Sequence, residues 1–378
     1  MKTQVLVVGA GPVGLTTALL LATAGVDVEV VDAGAGPVTQ SRATDLHAAT
    51  LEALRPSGLT DMLLPLGRPT HRIVVHSPDG PLGGYGTDLV RSAYPYILTV
   101  PQCATEGALD DRLAAVGRRA RRSTRIDRLS WGPDGATAVT AGGETIRARW
   151  VVGCDGIGSR VRTDAGIAYR GTTYRHPYQL ADLRAGCPLD ADAVHMVLDP
   201  AGLVAVLPMH LEGWRRVLVQ LPAGQRPADT EPLPDLLHHA ERRGVPLQVT
   251  DVRWHSTFRI HRRLAATFRR GPVLLAGDAA HACSPIGGQG LNLGLRDAVT
   301  LAGTLAGVVH GRVPERHLDS WATARRARAR QVLGWTDLAT RTTTVRSSPG
   351  RWLRDAAVAA TLRSTAGRRL LAGTVAGR

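Results

Sequence analysis

The sequence predicts an α/β fold: a Rossmann-type dinucleotide-binding domain, interrupted by an inserted, mostly antiparallel sheet and closed by C-terminal helices. Three observations predict it. An apolar run at residues 5–8 is followed by Gly9, Gly11 and Gly14, at G-x-G-x-x-G spacing, and then by a helix-like run at residues 15–22. Two more apolar runs, near residues 151 and 273, end in small-residue turns that hold Asp155 and Asp278. Between those two turns, residues 172–260 carry strand-like runs at 178–183, 194–198, 203–207, 216–221 and 247–260, with one helix candidate at 233–242. The expected division is 1–171 with 261–320 for the discontinuous dinucleotide-binding domain, 172–260 for the inserted sheet and 321–378 for the helical segment.

The first turn has a physical reason at each glycine. Gly9 makes the tight turn, Gly11 lets backbone approach a pyrophosphate, and Gly14 lets helix and strand pack closely; the helix N-terminus then faces the phosphates. Pro12 and Val13 complete the turn. A second strand at 28–31 ends in Asp32, placed 23 residues after Gly9, where a ribose-binding carboxylate is expected, and Ala33 opens the loop that follows. Residues 41–47 lead into a helix at 47–54. Arg42 lies beside a loop expected to face the cofactor, where an arginine either pairs with phosphate or is solvated. Short alternating runs occupy residues 70–100, and Pro101-Gln102 opens a helix that turns Leu109 and Leu113 inward. Ile126 lies in the first strand of a three-stranded meander spanning 125–131, 136–140 and 145–152, with turns at 132–135 and 142–143. After Asp278 and His281 comes the glycine-rich stretch 284–294. Its backbone N–H groups are suited to an anion-accepting nest, and it opens a helix running to about residue 309. His281 reads as a packing residue under that loop.

Composition narrows the function classes. The chain has 378 residues, 44% of them apolar, and a formal charge of +14. The charge is uneven: after Trp321 there are 12 arginines against Asp337 and Asp355, while Lys2 is the only lysine. Aromatics are not interleaved with these arginines as in a single-strand binder. They are expected to form a solvated helical face over the inserted sheet, with no role in nucleic acid recognition. Cys103, Cys154, Cys187 and Cys283 lie far apart, with no C-x-x-C, as in a reduced cytoplasmic protein. The N-terminal run imitates a signal peptide with Ala22-Thr23-Ala24 as its cleavage site, but cleavage there would delete the glycine turn. No other stretch is long and apolar enough to span a membrane. No Ser-His-Asp set, paired carboxylate or metal-ligand cluster stands out, so no metal is expected.

At the three acid-bearing turns the chain resembles the flavin-dependent aromatic hydroxylases, the p-hydroxybenzoate hydroxylase-like FAD monooxygenases. Gly9-x-Gly11-x-x-Gly14 matches their dinucleotide motif. Cys154-Asp155-Gly156 matches their second motif, and Gly277-Asp278-Ala279-Ala280-His281, with Pro285 and residues 287–292, matches their third. The resemblance implies a tightly but non-covalently held FAD. Its contacts would be Gly9, Gly11, Pro12, Val13, Gly14, Asp32, Ala33, Arg42, Gln102, Ile126, Asp155, Gly277, Asp278, Pro285, Gly288, Gly290, Leu291 and Asn292. It also implies a transient NAD(P)H without a Rossmann unit of its own, a flavin C4a-hydroperoxide formed with O2, and oxygen transfer to an aromatic or polyketide-like small molecule. The chain departs from the family in having Asp32 where a glutamate is usual. It also ends without room for the C-terminal thioredoxin-like domain of some relatives.

The resemblance sets the flavin ring between the 285–292 loop and the inserted sheet, with residues 42–47 on the flavin's opposite side. The strands at 203–207 and 216–221 are the expected pocket walls, with Leu203, Val206 and Val219 as their bulky residues. His195, His210, Arg215 and Tyr178 are possible bases by type alone, and a phenol can ionise without one. Other readings are a reductase, epoxidase or Baeyer–Villiger enzyme on the same scaffold, or a flavin-binding protein without catalysis. A halogenase would carry W-x-W-x-I-P, which the chain lacks. A monomer or homodimer is expected.

Overall fold

The structure is a computed structural model that describes residues 1–38, 43–224, 232–345 and 347–378. The first half of the chain runs β1 (Lys2–Val8), α1 (Pro12–Thr23), β2 (Val28–Val31), β3 (Asp45–Leu46), α2 (Ala48–Leu54), α3 (Leu59–Leu63), β4 (Arg68–Thr70), β5 (Arg72–Ser77), β6 (Gly80–Gly86), β7 (Ile97–Thr99), α4 (Gln102–Ala115), β8 (Ala120–Arg121), β9 (Ile126–Gly132), β10 (Gly135–Thr140), β11 (Thr145–Gly153) and α5 (Arg160–Asp164). The second half runs β12 (Tyr169–Gly186), β13 (Ala193–Asp199), β14 (Gly202–Pro208), β15 (Trp214–Gln220), α6 (Pro232–Glu241), β16 (Gln248–Ala265), β17 (Arg269–Arg270), β18 (Val273–Leu275), β19 (His281–Ala282), α7 (Gln289–Val309), α8 (Arg316–Thr342), α9 (Ser348–Arg363) and α10 (Thr365–Val375).

Apolar runs that bury both faces make a parallel sheet, and here they do. The first sheet is ordered β17-β18-β11-β1-β2-β8, parallel from β18 to β8. The first half of β11 pairs β10 and continues to β9, which is the expected meander; its second half pairs β18. Val5, Leu6, Val151, Val152, Val273 and Leu274 at the sheet's centre are fully buried; α1 packs on the sheet and α7 on α1. The strand before Asp278, β18, is separated from β1 by β11.

The second sheet is ordered β19-β16-β12-β15-β14-β13-β5-β6 and is antiparallel except between β13 and β5. The β5–β6 hairpin, which the sequence reading left within residues 1–171, therefore joins this sheet. Its runs are too short and too generic to reveal their partner, and a parallel pairing with a strand more than a hundred residues away leaves no local signature. A third, three-stranded sheet, β3-β7-β4, packs against α7 through β3.

Strand alternation gives the second sheet two different faces. Val204, Val206, Val217 and Val219 point to the side covered by Leu236 and Ala240 of α6. Leu203, Ala205, Leu207 and Leu218 point to the other side, where Leu203 meets Ile286 and Leu207 lies near Tyr178 and Ile260. Of the three expected wall residues, Val206 and Val219 thus belong to the α6-covered side, and only Leu203 faces the 285–292 loop. Strand β15 also carries Arg215 and Arg216 inside it.

The C-terminal arginines also differ from the expected solvated face. Helix α8 packs on α7 and β16, and Arg325 binds Asp297 at 2.6 Å. Arg326 donates to the carbonyl of Ala265, Arg328 to that of Gly377, and the buried Arg354 to that of Leu198. Helices α9 and α10 meet at Ser364, whose hydroxyl caps α10.

Candidate functional site

The first turn is built from close approaches. A methyl group on Gly9, which has φ +103°, would lie 2.4 Å from the carbonyl oxygen of Cys154. One on Gly14 would lie 1.9 Å from the carbonyl oxygen of Gly9. These two glycines let β1, α1 and the Cys154 turn pack together, while a methyl on Gly11 would meet nothing, which leaves the open side of the turn clear. Helix α1 starts on Gly11 with Pro12 in its first turn and no side-chain cap, so its first N–H groups remain available. Val13 is half-buried beside Gly277.

Asp32 spans two loops. Its Oδ2 accepts from the Ala10 N–H and its Oδ1 from the Gly34 N–H, both at 2.7 Å. A carboxylate has about four acceptor positions, so two backbone donors leave capacity for a ribose hydroxyl. Ala33 is exposed next to it. Arg122, not singled out from the sequence, stands 3.9 Å from Asp32 and 3.4 Å from Asp110. Gln102 begins α4; its Oε1 accepts from the Ala43 N–H and its Nε2 donates to Glu106. Glu106 was also missed. It is 1% exposed, accepts from the Val38 N–H, and burial raises its pKa. Arg42 lies outside the described residues. Ile126 is buried in the main core, and no side-chain contact toward the turn distinguishes it.

Asp155 has a structural position. Its carboxylate accepts from the Ser159 hydroxyl at 2.5 Å and the Val161 N–H at 3.1 Å, so it fixes the start of α5. That helix carries Arg162, which donates to the carbonyls of Ala279 and Ile157 and stacks 3.9 Å from the Tyr169 ring. The Tyr169 hydroxyl donates to the carbonyl of Asp278. The second motif thereby holds the third: Gly277-Asp278-Ala279 is a single 3-10 turn in which Gly277 and Ala279 are buried and Asp278 is exposed.

The 285–292 loop is clamped onto β3 and α2. The Asn292 side chain accepts from the His47 N–H and donates to the carbonyls of Asp45 and Gly288, and its own carbonyl accepts from the Thr50 hydroxyl at 3.5 Å. His47 is fully buried and shifted down to about 4 by desolvation, so it is neutral, with Nδ1 facing the Gln289 amide. Helix α7 begins after Gly288 without a side-chain cap. Gly290 and Leu291 in its first turn are half-buried, and Pro285 is exposed. Under the loop, His281 and Arg325 share the buried carboxylate of Asp297, which agrees with the packing role expected of His281. Burial pushes the Cys283 thiol up to about 12, so it is not a nucleophile.

Opposite this loop, the inner face of the second sheet holds a buried bidentate ion pair, Arg216–Asp182, at 2.7 and 2.8 Å, with Trp254 alongside. Of the base candidates, His195 and Arg215 alternate to the other face; His195 hydrogen-bonds His76 at 2.9 Å and the carbonyl of Asp190. His210 lies past the end of β14. Tyr178 is on the inner face, but it is fully buried against Phe258, and burial raises its pKa.

Two uncapped helix N-termini beginning at glycines, an open Gly11, and an acid exposed between buried neighbours suit a dinucleotide that carries a flavin. The comparisons agree. Residues 2–336 match the FAD binding domain family, and the chain belongs to that family. Its cofactor is FAD. The 6-methylpretetramide 4-monooxygenase of Streptomyces rimosus is 36% identical over 362 residues, covering 91% of this chain and 63% of that protein. The dialkyldecalin synthase of Streptomyces rugosporus is 33% identical over 333 residues, covering 86% of this chain and 70% of that protein. Among solved structures, p-nitrophenol 4-monooxygenase from Pseudomonas putida superposes with a TM-score of 0.89 at 26% identity, covering 99% of this chain and 97% of that one. The chain thus spans about two thirds of the length of these curated relatives. Among the described residues there is no cluster suited to a metal ion, and no helix is long and apolar enough to cross a membrane.

Proposed function

We propose that the chain is an FAD-dependent monooxygenase that hydroxylates a phenolic or polyketide-like small molecule with NAD(P)H and O2. The observation that carries this reading is the placement of the α7 N-terminus, held by Asn292 and His47, opposite the apolar inner face of the second sheet around Leu203, Ala205 and Leu218. When bound, FAD supplies hydride acceptance and dioxygen activation, which no side chain offers. The chain's own residues bind and orient. The glycine turn and the α1 N-terminus receive the pyrophosphate, Asp32 a ribose, and Asp278 the ribityl hydroxyls. The first N–H groups of α7 stabilise negative charge at the pyrimidine edge. The apolar sheet face excludes water and lies flat against an aromatic ring. Relatives named as monooxygenases of pretetramide and nitrophenol support an aromatic substrate class.

The test is to purify the protein with its flavin and identify that flavin after acid release. Phenols and polycyclic polyketides are then screened for stimulated NAD(P)H oxidation, with the product mass measured. A product one oxygen atom heavier is expected. One relative is named a synthase of a dialkyldecalin, so each substrate is also run without NAD(P)H. Conversion to a product of unchanged mass in that arm supports a redox-neutral ring closure instead.

A further inference from the structure

We propose that Asp45 is the general base that takes the hydroxyl proton of a phenolic substrate. The inference rests on the functional reading above and adds a residue to it.

The geometry comes from β3. Leu46 enters the main core, so its neighbour Asp45 points to the opposite side. The Asp45 carbonyl is fixed by the Asn292 amide, the same group that clamps the 285–292 loop. A methyl group placed on Gly288 would lie 3.1 Å from both Cβ and Oδ2 of Asp45, so the carboxyl lies against the loop on which the flavin pyrimidine is expected. Its Oδ1 accepts from the Thr44 hydroxyl at 3.0 Å, and Oδ2 makes no hydrogen bond among the described residues. The charged groups around it are few. Arg216, on the facing sheet, is near enough to stabilise its charge, so Asp45 faces the sheet that the resemblance set across the flavin from residues 42–47; Arg216 itself is bound to Asp182. Arg68, two strands away in the same register row, is bound to Asp192. His47 is neutral. Desolvation raises the Asp45 pKa, which brings a carboxylate closer to the value at which a base is effective near neutrality.

In the step, the phenol O–H bond breaks, the proton passes to Asp45 Oδ2, and the electron pair stays on the phenolate oxygen. This makes the ring electron-rich for attack on an electrophilic oxygen. Among the described residues of the site no other side chain offers the same: Asp182 is consumed by Arg216, and the Tyr178 hydroxyl is buried and shifted upward.

The test compares wild type with Asp45→Asn, both loaded with FAD, on two probes. p-Cresol stays protonated in mildly alkaline buffer, whereas p-nitrophenol is ionised there without help. Loss of a general base costs about a hundredfold or more in kcat on p-cresol. On p-nitrophenol the expected change is within about threefold, on the same principle that an ionised substrate needs no base. Flavin content is measured on both proteins, and Kd for each phenol is read from flavin absorbance without NAD(P)H. Asp45→Glu should restore part of the p-cresol rate. Equal losses on both phenols, no loss on p-cresol, or loss of flavin from Asp45→Asn overturns the proposal, because each is what a packing or cofactor-holding residue gives. If flavin-loaded wild type binds and oxidises neither phenol, the reading as a phenol hydroxylase falls, and the base with it. That outcome is separate from a normal wild type with an unaffected variant.

Discussion

The two sides of the candidate site hold their acids in opposite ways. On the cofactor side, Asp32 is held by the backbone N–H groups of Ala10 and Gly34, and Asp155 by the Ser159 hydroxyl together with the Val161 N–H. On the sheet side, Asp182 is held by a side chain, the guanidinium of Arg216, with both groups nearly inaccessible to water. Backbone donors stay in place whatever side chains surround them. A side-chain partner can be lost in a single substitution, and then the remaining charge is left buried. The cofactor side should therefore respond to mutation in affinity, and the sheet side in stability.

The largest expected effect follows from the ion pair. Asp182→Ala takes the bidentate carboxylate partner away from the buried Arg216, and breaking such a buried pair costs about 3–5 kcal/mol. Denaturant unfolding should show this loss. Replacing both members by Leu and Met should recover most of it, because the cost lies in breaking the pair and not in losing its volume. A single variant as stable as wild type would remove the distinction between the two sides.

A smaller effect sharpens the comparison through pH. His47 sits at the junction of the two sides, with its pKa lowered to about 4. A histidine whose folded pKa is depressed contributes stability above the unfolded value of about 6.5. It loses that stability as pH falls toward the folded value, over about pH 6.5 to 4, with a limit of about 3 kcal/mol. Asp45, two residues earlier, has a raised pKa and acts in the opposite sense: its contribution is present at low pH and is lost as pH rises through its folded pKa. His47→Gln should flatten the acid limb of the Tm profile, and Asp45→Asn the limb at higher pH. A profile of either variant parallel to wild type would show that the residue is not buried as described.

How much was readable in advance follows the same division. The glycine turn was legible because close backbone approach demands glycine at fixed spacing, and spacing is a property of sequence; the strand ends that carry Asp32 and Asp278 were legible from apolar runs stopping at an acid. The meander and the strands at 178–183, 194–198 and 203–207 were legible from alternation and turn residues. The partner of the β5–β6 hairpin was not, since β5 pairs with β13, which is remote in the chain. Nor was the direction in which each strand faces. Val206 and Val219 looked like pocket walls, but a register shift of one residue exchanges the two faces, and only the packing of α6 decides between them. Glu106 and Arg162 were missed for a related reason: their partners, Val38, Gln102 and the Asp278 turn, come together only in the fold.

A third measurement concerns the cofactor side alone. Asp278 is the one exposed residue of its turn, and Arg162 and Tyr169 fix the turn by its carbonyls without using the carboxylate. Asp278→Ala should therefore keep the turn and weaken FAD. The loss of a charged acceptor is worth roughly 1.5–3 kcal/mol, or one to two decades in Kd. Apoprotein Tm should change little. Wild-type FAD affinity in the folded variant would remove Asp278 from the site.

The smallest expected effect separates the two faces of the second sheet. Val219→Ala removes two methyl groups from the α6-covered side, for roughly 2 kcal/mol of stability. It should leave substrate range and the coupling of NAD(P)H use to product unchanged. Leu203→Ala opens space on the side that meets Ile286 and so should alter coupling and the size of ring accepted, at similar flavin content. The two substitutions remove apolar groups from positions of nearly equal burial, 0% and 1% exposed, so burial alone predicts like results. A difference in coupling between them can come only from which face each residue is on. If Val219→Ala changes coupling and Leu203→Ala does not, substrate lies under α6, and the 285–292 loop faces only the cofactor.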